Sequence, residues 1–313
     1  MFNVALVGAG AMAGHHAAAF SDIEGVAIAG VYSRTRARAE ELASRHNARV
    51  FDSIEAMYEA THADLVVVAV PELEVNAIAC RCFEFPWNVM LEKPPGFNVA
   101  DAESIANAAR ARQRRVFVGL NRRFYSSTRA ALDDLAQRDS QRLITAIDQQ
   151  DQSAARAAGQ PEPVVDNWMF ANSIHVIDYL RLFGRGNVDR ITRIRPWDPS
   201  APGYVVAAVE FSSGDLGLYQ GVWNGPGPWA VTVNDDQRRW ELRPLEQAAF
   251  QRKGERTVVP VERDAVDERF KPGIRPQAEA AVAACRGAHS SMPTLDDAIE
   301  TMRLIDGIFR GSS

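Results

Sequence analysis

A short apolar run, Phe2–Val7, leads directly into Gly8-Ala9-Gly10-Ala11-Met12-Ala13 and then into a helical pattern. No other stretch limits the fold so strongly. The turn has the form G-x-G-x-x-A, which closes the first strand and opens the first helix of a βαβ dinucleotide-binding unit. Gly8 permits the tight turn. Gly10 lets the main chain approach a pyrophosphate at the positive end of the helix. Ala13 allows the helix to pack close to the strand. The expected cofactor contacts here are Gly8, Gly10, Ala11 and Met12; the plainer alternative is a strand-to-helix turn with no ligand.

The next hundred residues repeat the alternation. Apolar runs at Val26–Tyr32, Leu65–Val70, Val89–Leu91 and Val116–Leu120 are short and rich in Val, Leu and Ile. Such continuous runs suit strands buried on both faces of a parallel sheet. Helical patterns lie between them, at Arg36–Arg45, Ile54–Ala60, Val75–Phe83 and Asp101–Arg112. The expected fold class is α/β: a doubly wound (Rossmann) parallel sheet over residues 1–121, then a second domain over 122–313. In that second part, extended segments at Arg142–Asp148, Val188–Ile194, Tyr204–Phe211, Leu216–Trp223, Ala230–Val233 and Arg239–Arg243 alternate in polarity and predict an antiparallel sheet. Helices are expected at Ser127–Leu135, Ala171–Leu182, Ile274–Arg286 and Thr294–Phe309. Gln152–Asp166 has no periodicity and reads as a mobile loop.

Composition narrows the partners. Thirty-five basic residues face forty acidic ones, a net charge of -5, which argues against a nucleic-acid surface spread over the chain. Three cysteines, Cys80, Cys82 and Cys285, exclude a disulfide framework and match no zinc spacing, so no metal is expected. No apolar run reaches the length of a membrane span, and the first residues lack a signal-peptide pattern. A cytoplasmic protein, binding neither membrane nor nucleic acid, is the expectation.

Twenty residues beyond Ala13 an NAD-binding unit usually places a carboxylate for the adenosine ribose. Ser33 and Arg34 stand there instead. A hydroxyl beside a guanidinium suits a 2′-phosphate, so NADP(H) is the expected cofactor and NAD(H) the second choice. Arg36 and Arg38 read more simply as a solvated helix face.

Val89–Leu91 runs into Glu92-Lys93-Pro94-Pro95-Gly96. Ligands of open α/β sheets bind beyond the carboxyl ends of the strands, which puts Glu92 and Lys93 at a nicotinamide and its substrate. An ammonium there can hydrogen-bond a carbonyl oxygen or exchange a proton with it. Position alone equally allows an ordinary exposed lysine on a turn.

Taken together, the glycine turn, Glu92-Lys93-Pro94, Asn121-Arg122-Arg123-Phe124 and His175-Val176-Ile177-Asp178 resemble the glucose-fructose oxidoreductase / inositol dehydrogenase (Gfo/Idh/MocA) family, and the likeness spans essentially the whole chain. The resemblance implies an α+β second domain with an open, mostly antiparallel sheet through which members pair as dimers or tetramers. It implies Lys93 as the catalytic acid/base, Glu92 at the nicotinamide ribose, Val70 and Pro71 lining the cofactor, and Asn121 close to it. Substrates of such members are sugars, polyols, inositols or nucleotide sugars.

Asn172, His175 and Asp178 recur at three-residue steps on one helix side. Asp178 is placed to orient His175, and His175 to relay a proton. Alone, the histidine reads as a packing residue; the resemblance favours function. The family's D-x-G-x-H, however, is here Ala171-Asn172-Ser173-Ile174-His175, so one usual carboxylate is missing. Asn172, Arg122 and Tyr125 are the candidate substrate-binding residues beside Lys93 and His175. The expected activity is hydride transfer between nicotinamide and a carbinol or carbonyl carbon of a sugar-like substrate. The rivals are a nucleotide-sensing regulatory protein on the same scaffold and a reductase of non-sugar carbonyls.

Overall fold

A computed structural model describes residues 1–311, which divide into two compact units: 1–121 with 266–299, and 122–265 with the residues from Glu300 onward. The first unit holds a six-stranded sheet in the order β3-β2-β1-β4-β5-β6, every pair parallel. Its strands are β1 (Phe2–Val7), β2 (Val26–Tyr32), β3 (Arg49–Phe51), β4 (Leu65–Val68), β5 (Asn88–Glu92) and β6 (Val116–Gly119). Leu65–Val68 and Val116–Gly119 are buried throughout, as a strand covered on both faces must be.

Helices α1 (Ala11–Ser21), α2 (Arg36–Arg45), α3 (Ile54–Thr61), α4 (Val75–Cys82) and α5 (Val99–Ala111) connect the strands. Local chemistry starts two of them: Ser53 and Asn98 accept from the amides of Ala56 (3.0 Å) and Asp101 (2.9 Å). Strand β1 pairs with β2 on one side and β4 on the other, so the chain reverses direction across the sheet at the end of β1. That crevice is where doubly wound sheets bind nucleotides. The three-residue β3 is absent from the apolar runs of the sequence; it is too short to show a pattern and forms by pairing with Gly30–Tyr32. Helix Ile274–Cys285, late in the chain, packs on α1.

The second unit contains an eight-stranded sheet in the order β14-β13-β12-β11-β7-β10-β9-β8. The strands are β7 (Leu143–Gln150), β8 (Val188–Arg195), β9 (Tyr204–Phe211), β10 (Leu216–Trp223), β11 (Ala230–Asn234), β12 (Arg238–Leu242), β13 (Ala248–Arg252) and β14 (Val258–Val261). All neighbours are antiparallel except β7 and β10. The architecture is thus a Rossmann sheet followed by an open, mostly antiparallel one. Val205, Ala207, Val209 and Phe211 alternate inward along β9, and Tyr219 and Trp223 do so on β10. The edge strand β14 and its neighbour β13 are mixed in polarity and show no clear alternation in the sequence.

Helices α6 (Ser126–Leu135), α7 (Gln152–Ala157), α8 (Glu162–Asp166) and α9 (Ile174–Phe183) belong to this unit. Residues 152–166 are therefore not the loop that their composition suggested. Asp151 caps α7 through the amide of Ala154 (2.9 Å), Pro161 leads into α8, and Arg156 pairs with Glu162 (2.6 Å) across the turn. Both helices are too short to develop a hydrophobic period. Before α9, Met169–Ser173 forms a π-helical turn, so the expected even three-residue spacing of Asn172 and His175 is broken between them.

Candidate nucleotide and substrate sites

Gly8 has φ +109°, and a Cβ there would lie 2.1 Å from the carbonyl oxygen of Ala69. Only glycine fits. Gly10 stands at the N-cap of α1 in extended conformation, with no side-chain cap and nothing within 4 Å of an added Cβ. The first amides of α1, which begins with Ala11 and Met12, lack intrahelical acceptors and carry the positive end of the helix dipole. A cavity of about 180 Å³ beside this turn is lined by Gly8, Gly10, Ser33, Arg34, Val70 and Pro71, among others. Six residues singled out from three separate stretches of sequence thus meet at one hollow. This donor-rich, positively charged cradle fits a dinucleotide.

Arg34 reaches into the same lining and pairs with Glu74 (2.8 Å), while Ser33 accepts weakly from the amide of Thr35 (3.4 Å). Arg38 also lines the cavity. Arg36 points elsewhere, bound to Glu40 (2.9 Å) and Asp52.

Glu92 ends β5 with 7% of its surface exposed. Its Oε1 meets Nε2 of the fully buried His16 at 2.5 Å, and the Lys93 amide donates to its Oε2 at 3.3 Å. A buried carboxylate with these two partners is held rigidly just before Lys93, and the Lys93–Pro94 bond is cis. The pairing of Glu92 with His16 has no sequence signature, because seventy-six positions separate them. Asn121 is buried and donates from Nδ2 to the Pro272 carbonyl (3.0 Å).

In the second unit, Asp148 on β7 is fully buried, accepting from Tyr219 (2.8 Å) and from Nε2 of Gln150 (2.6 Å). Burial pushes its carboxyl above the ordinary range in spite of these bonds. Gln150 in turn accepts through Oε1 from Trp168 (2.9 Å) and Asn172 (2.8 Å). His175 is buried, its ring 6.1 Å from that of Trp229. Arg122 lies over Trp229, 4.7 Å from the ring centre. Tyr125 is buried at the start of α6. Asp178, placed by sequence beside His175, spends its carboxylate on Arg123, which binds both oxygens at 2.6 Å, and on Thr301 (2.8 Å). Burial would raise its pKa, but the Arg123 charge and these hydrogen bonds hold it below the usual carboxylate range. The Asp148–Gln150 pair went unnoticed in the sequence; its only signal is two polar residues at inward positions of a strand.

A family model described as "Oxidoreductase family, NAD-binding Rossmann fold" (GFO_IDH_MocA) matches residues 2–120. Over this first part the chain is similar to the Gfo/Idh/MocA oxidoreductase family. Among its relatives is scyllo-inositol 2-dehydrogenase (NADP(+)) IolU of Bacillus subtilis, 30% identical over 36% of this chain and 34% of that protein. Another is glucose-6-phosphate 3-dehydrogenase of the same organism, 25% identical over 40% of this chain and 35% of the relative. The matches thus span about a third of those relatives' length. The crystal structure of a dehydrogenase from Chromobacterium violaceum shares the fold over 98% of this chain and 94% of that one, with TM-score 0.82 and 20% identity.

The position of the aspartate in the D-x-G-x-H pattern is held by Ala171, buried on the π-helical turn. No side chain at 171 can move a proton. Among the described residues no group of His, Cys, Asp and Glu is arranged to hold a metal ion, and no helix is long and apolar enough to cross a membrane.

Proposed function

We propose that this protein is an NADP(H)-preferring oxidoreductase acting on a CH–OH or carbonyl carbon of a sugar, polyol or nucleotide-sugar-like substrate. The observation that carries it is the glycine-turn cavity in the same unit as a lysine fixed at the carboxyl end of β5. A bound nicotinamide nucleotide supplies or accepts the hydride. Gly8, Gly10, Ala11 and Met12 bring main-chain donors to its pyrophosphate; Val70 and Pro71 wall the cavity; Ser33 and Arg34 take the 2′-phosphate. Glu92, Lys93 and Asn121 complete the cofactor set, Glu92 chiefly by holding the segment at Lys93 through His16.

Lys93 exchanges a proton with the reacting oxygen, withdrawing electron density when the carbon is a carbonyl and taking the proton when it is an alcohol. His175 assists that transfer. Arg122, Tyr125 and Asn172 bind the substrate. The relatives named as sugar-phosphate and inositol dehydrogenases support a polyol-like substrate, and IolU supports NADP(H). Assembly as a homodimer or homotetramer through the eight-stranded sheet, in the cytoplasm, completes the proposal.

The loss of the carboxylate at Ala171 favours a second reading, a nucleotide-sensing regulator. Steady-state assays over a panel of polyols, sugars and nucleotide sugars decide between them. The enzyme reading expects NADP(H)-linked turnover that Lys93→Ala abolishes with nucleotide affinity kept. Nucleotide binding without any turnover would instead favour the regulator.

A further inference from the structure

Arg122 and Arg123 are adjacent in sequence and opposite in circumstance. Arg123 forks onto Asp178, so its charge is matched. Arg122 makes no hydrogen bond or ion pair to a carboxylate among the described residues, and its buried Nε has no partner. Its guanidinium is stacked on Trp229, and that ring is itself fixed by an indole bond to the Gln149 carbonyl (2.7 Å). The carboxylate whose field reaches Arg122 is Asp148. Asp148 is already engaged by Tyr219 (2.8 Å) and by Gln150 (2.6 Å), and it makes no ion pair with Arg122 among the described residues. A flat cation held on an indole face, with its charge unmatched, is suited to a planar anion that takes parallel N–H bonds.

The neighbouring amides carry a second constraint. The indole of Trp168 can only donate, so the Gln150 atom facing it is the oxygen. Gln150 then has its nitrogen on Asp148, and Asn172 must turn its own nitrogen toward the Gln150 oxygen. The remaining Asn172 atom, the carbonyl oxygen, is a fixed acceptor that calls for a hydroxyl donor.

We infer that the substrate is a sugar acid: a polyhydroxy compound whose carboxylate pairs with Arg122 and one of whose hydroxyls donates to Asn172 Oδ1. One guanidinium balances one carboxylate charge, whereas a phosphate dianion would remain half-neutralised. The inference refines the oxidoreductase reading and rests on it for the chemistry, though not for the binding.

The test is ligand-observed NMR titration of the whole protein with matched pairs, D-glucuronate against D-glucose and D-galacturonate against D-galactose, with glucose 6-phosphate as the phosphate arm. Each acid is expected to bind at least about tenfold tighter than its neutral partner, the range of one charge-assisted hydrogen bond or more. Arg122→Gln is expected to bring that ratio close to one, and Arg122→Lys to keep part of it. Equal binding of acid and neutral sugar, no binding of either acid, preference for the phosphate, or a preference that survives Arg122→Gln would each overturn the inference. If the variant does not fold, the wild-type ratios still decide. Acid binding without hydride transfer in the presence of NADP(H) would leave the Arg122 carboxylate site standing as a binding site and overturn the sugar acid as the substrate, while the oxidoreductase reading itself is decided by the wider panel.

Discussion

The two units build their candidate sites from different materials. In the first, ligand groups are main-chain amides and strand ends: the turn after β1, the start of α1, the ends of β2 and β5. In the second, they are side chains from β7, the π-helical turn, α9 and the segment before β11, joined by hydrogen bonds over long sequence distances. A main-chain site tolerates most side-chain change and fails where a Cβ intrudes. A side-chain network fails wherever one donor or acceptor is lost. That contrast decides what each mutation should do.

The largest effect is expected at Lys93. Lys93→Ala should lower turnover by about 10²–10⁴-fold, the usual contribution of a positioned acid or base, with NADPH affinity within about twofold. Stopped-flow hydride transfer together with fluorescence titration checks both halves; parallel loss of binding and turnover would make Lys93 a cofactor ligand only.

Gly8→Ala attacks the main-chain site. The added methyl meets the Ala69 carbonyl at 2.1 Å and the residue sits at positive φ, so a loss of about 2–4 kcal/mol and of nucleotide binding is expected. Chemical denaturation measures the first and titration the second; an unchanged midpoint would show that the turn relaxes freely.

Two buried carboxylates sharpen the comparison within the second unit. Asp178 has a depressed pKa, so its stabilisation is present above the ordinary carboxylate pKa near 4 and is lost as pH falls through the lower folded value. Asp148 has a raised pKa, so ionising it when buried is destabilising, and its effect has the opposite sign: folded stability improves as pH falls through its folded value. Asp178→Asn should flatten the acid limb of a denaturation-against-pH curve and destabilise the fold by about 3–5 kcal/mol, because Arg123 is left without its counter-charge. Asp148→Asn should remove the opposing component. Identical acid limbs in the wild type and both variants would contradict the assignment.

The smallest effect is expected at Arg34. Exposed and already paired with Glu74, it should contribute about tenfold to NADPH affinity and little to NADH affinity on replacement by Ala. Equal losses for both nucleotides would assign Arg34 a structural part instead.

The difference in materials also explains what the sequence revealed. The glycine turn, the strand ends and Lys93 are local, and their residues could be named from spacing; Gly8, Gly10, Ser33, Arg34, Val70 and Pro71 do line one cavity. Asp178 shares a helix with His175, which spacing shows, but its bond to Arg123 comes from another segment and has no local signal. Gln150 was invisible for the same reason: its meaning lies in Asp148, Trp168 and Asn172 together. In the fold, long buried strands were legible, whereas β3, β13 and β14 depend on their neighbours and the helices at 152–166 depend on caps. The return of residues 266–299 to the first unit has no local signal at all.

The most direct measurement of the account is a fluorescence titration of the folded protein with NADPH and NADH. Saturable binding, tighter for NADPH and abolished by Gly8→Ala in material that retains its fold, is the predicted result. The absence of binding by either reduced nucleotide in folded wild-type protein would contradict it.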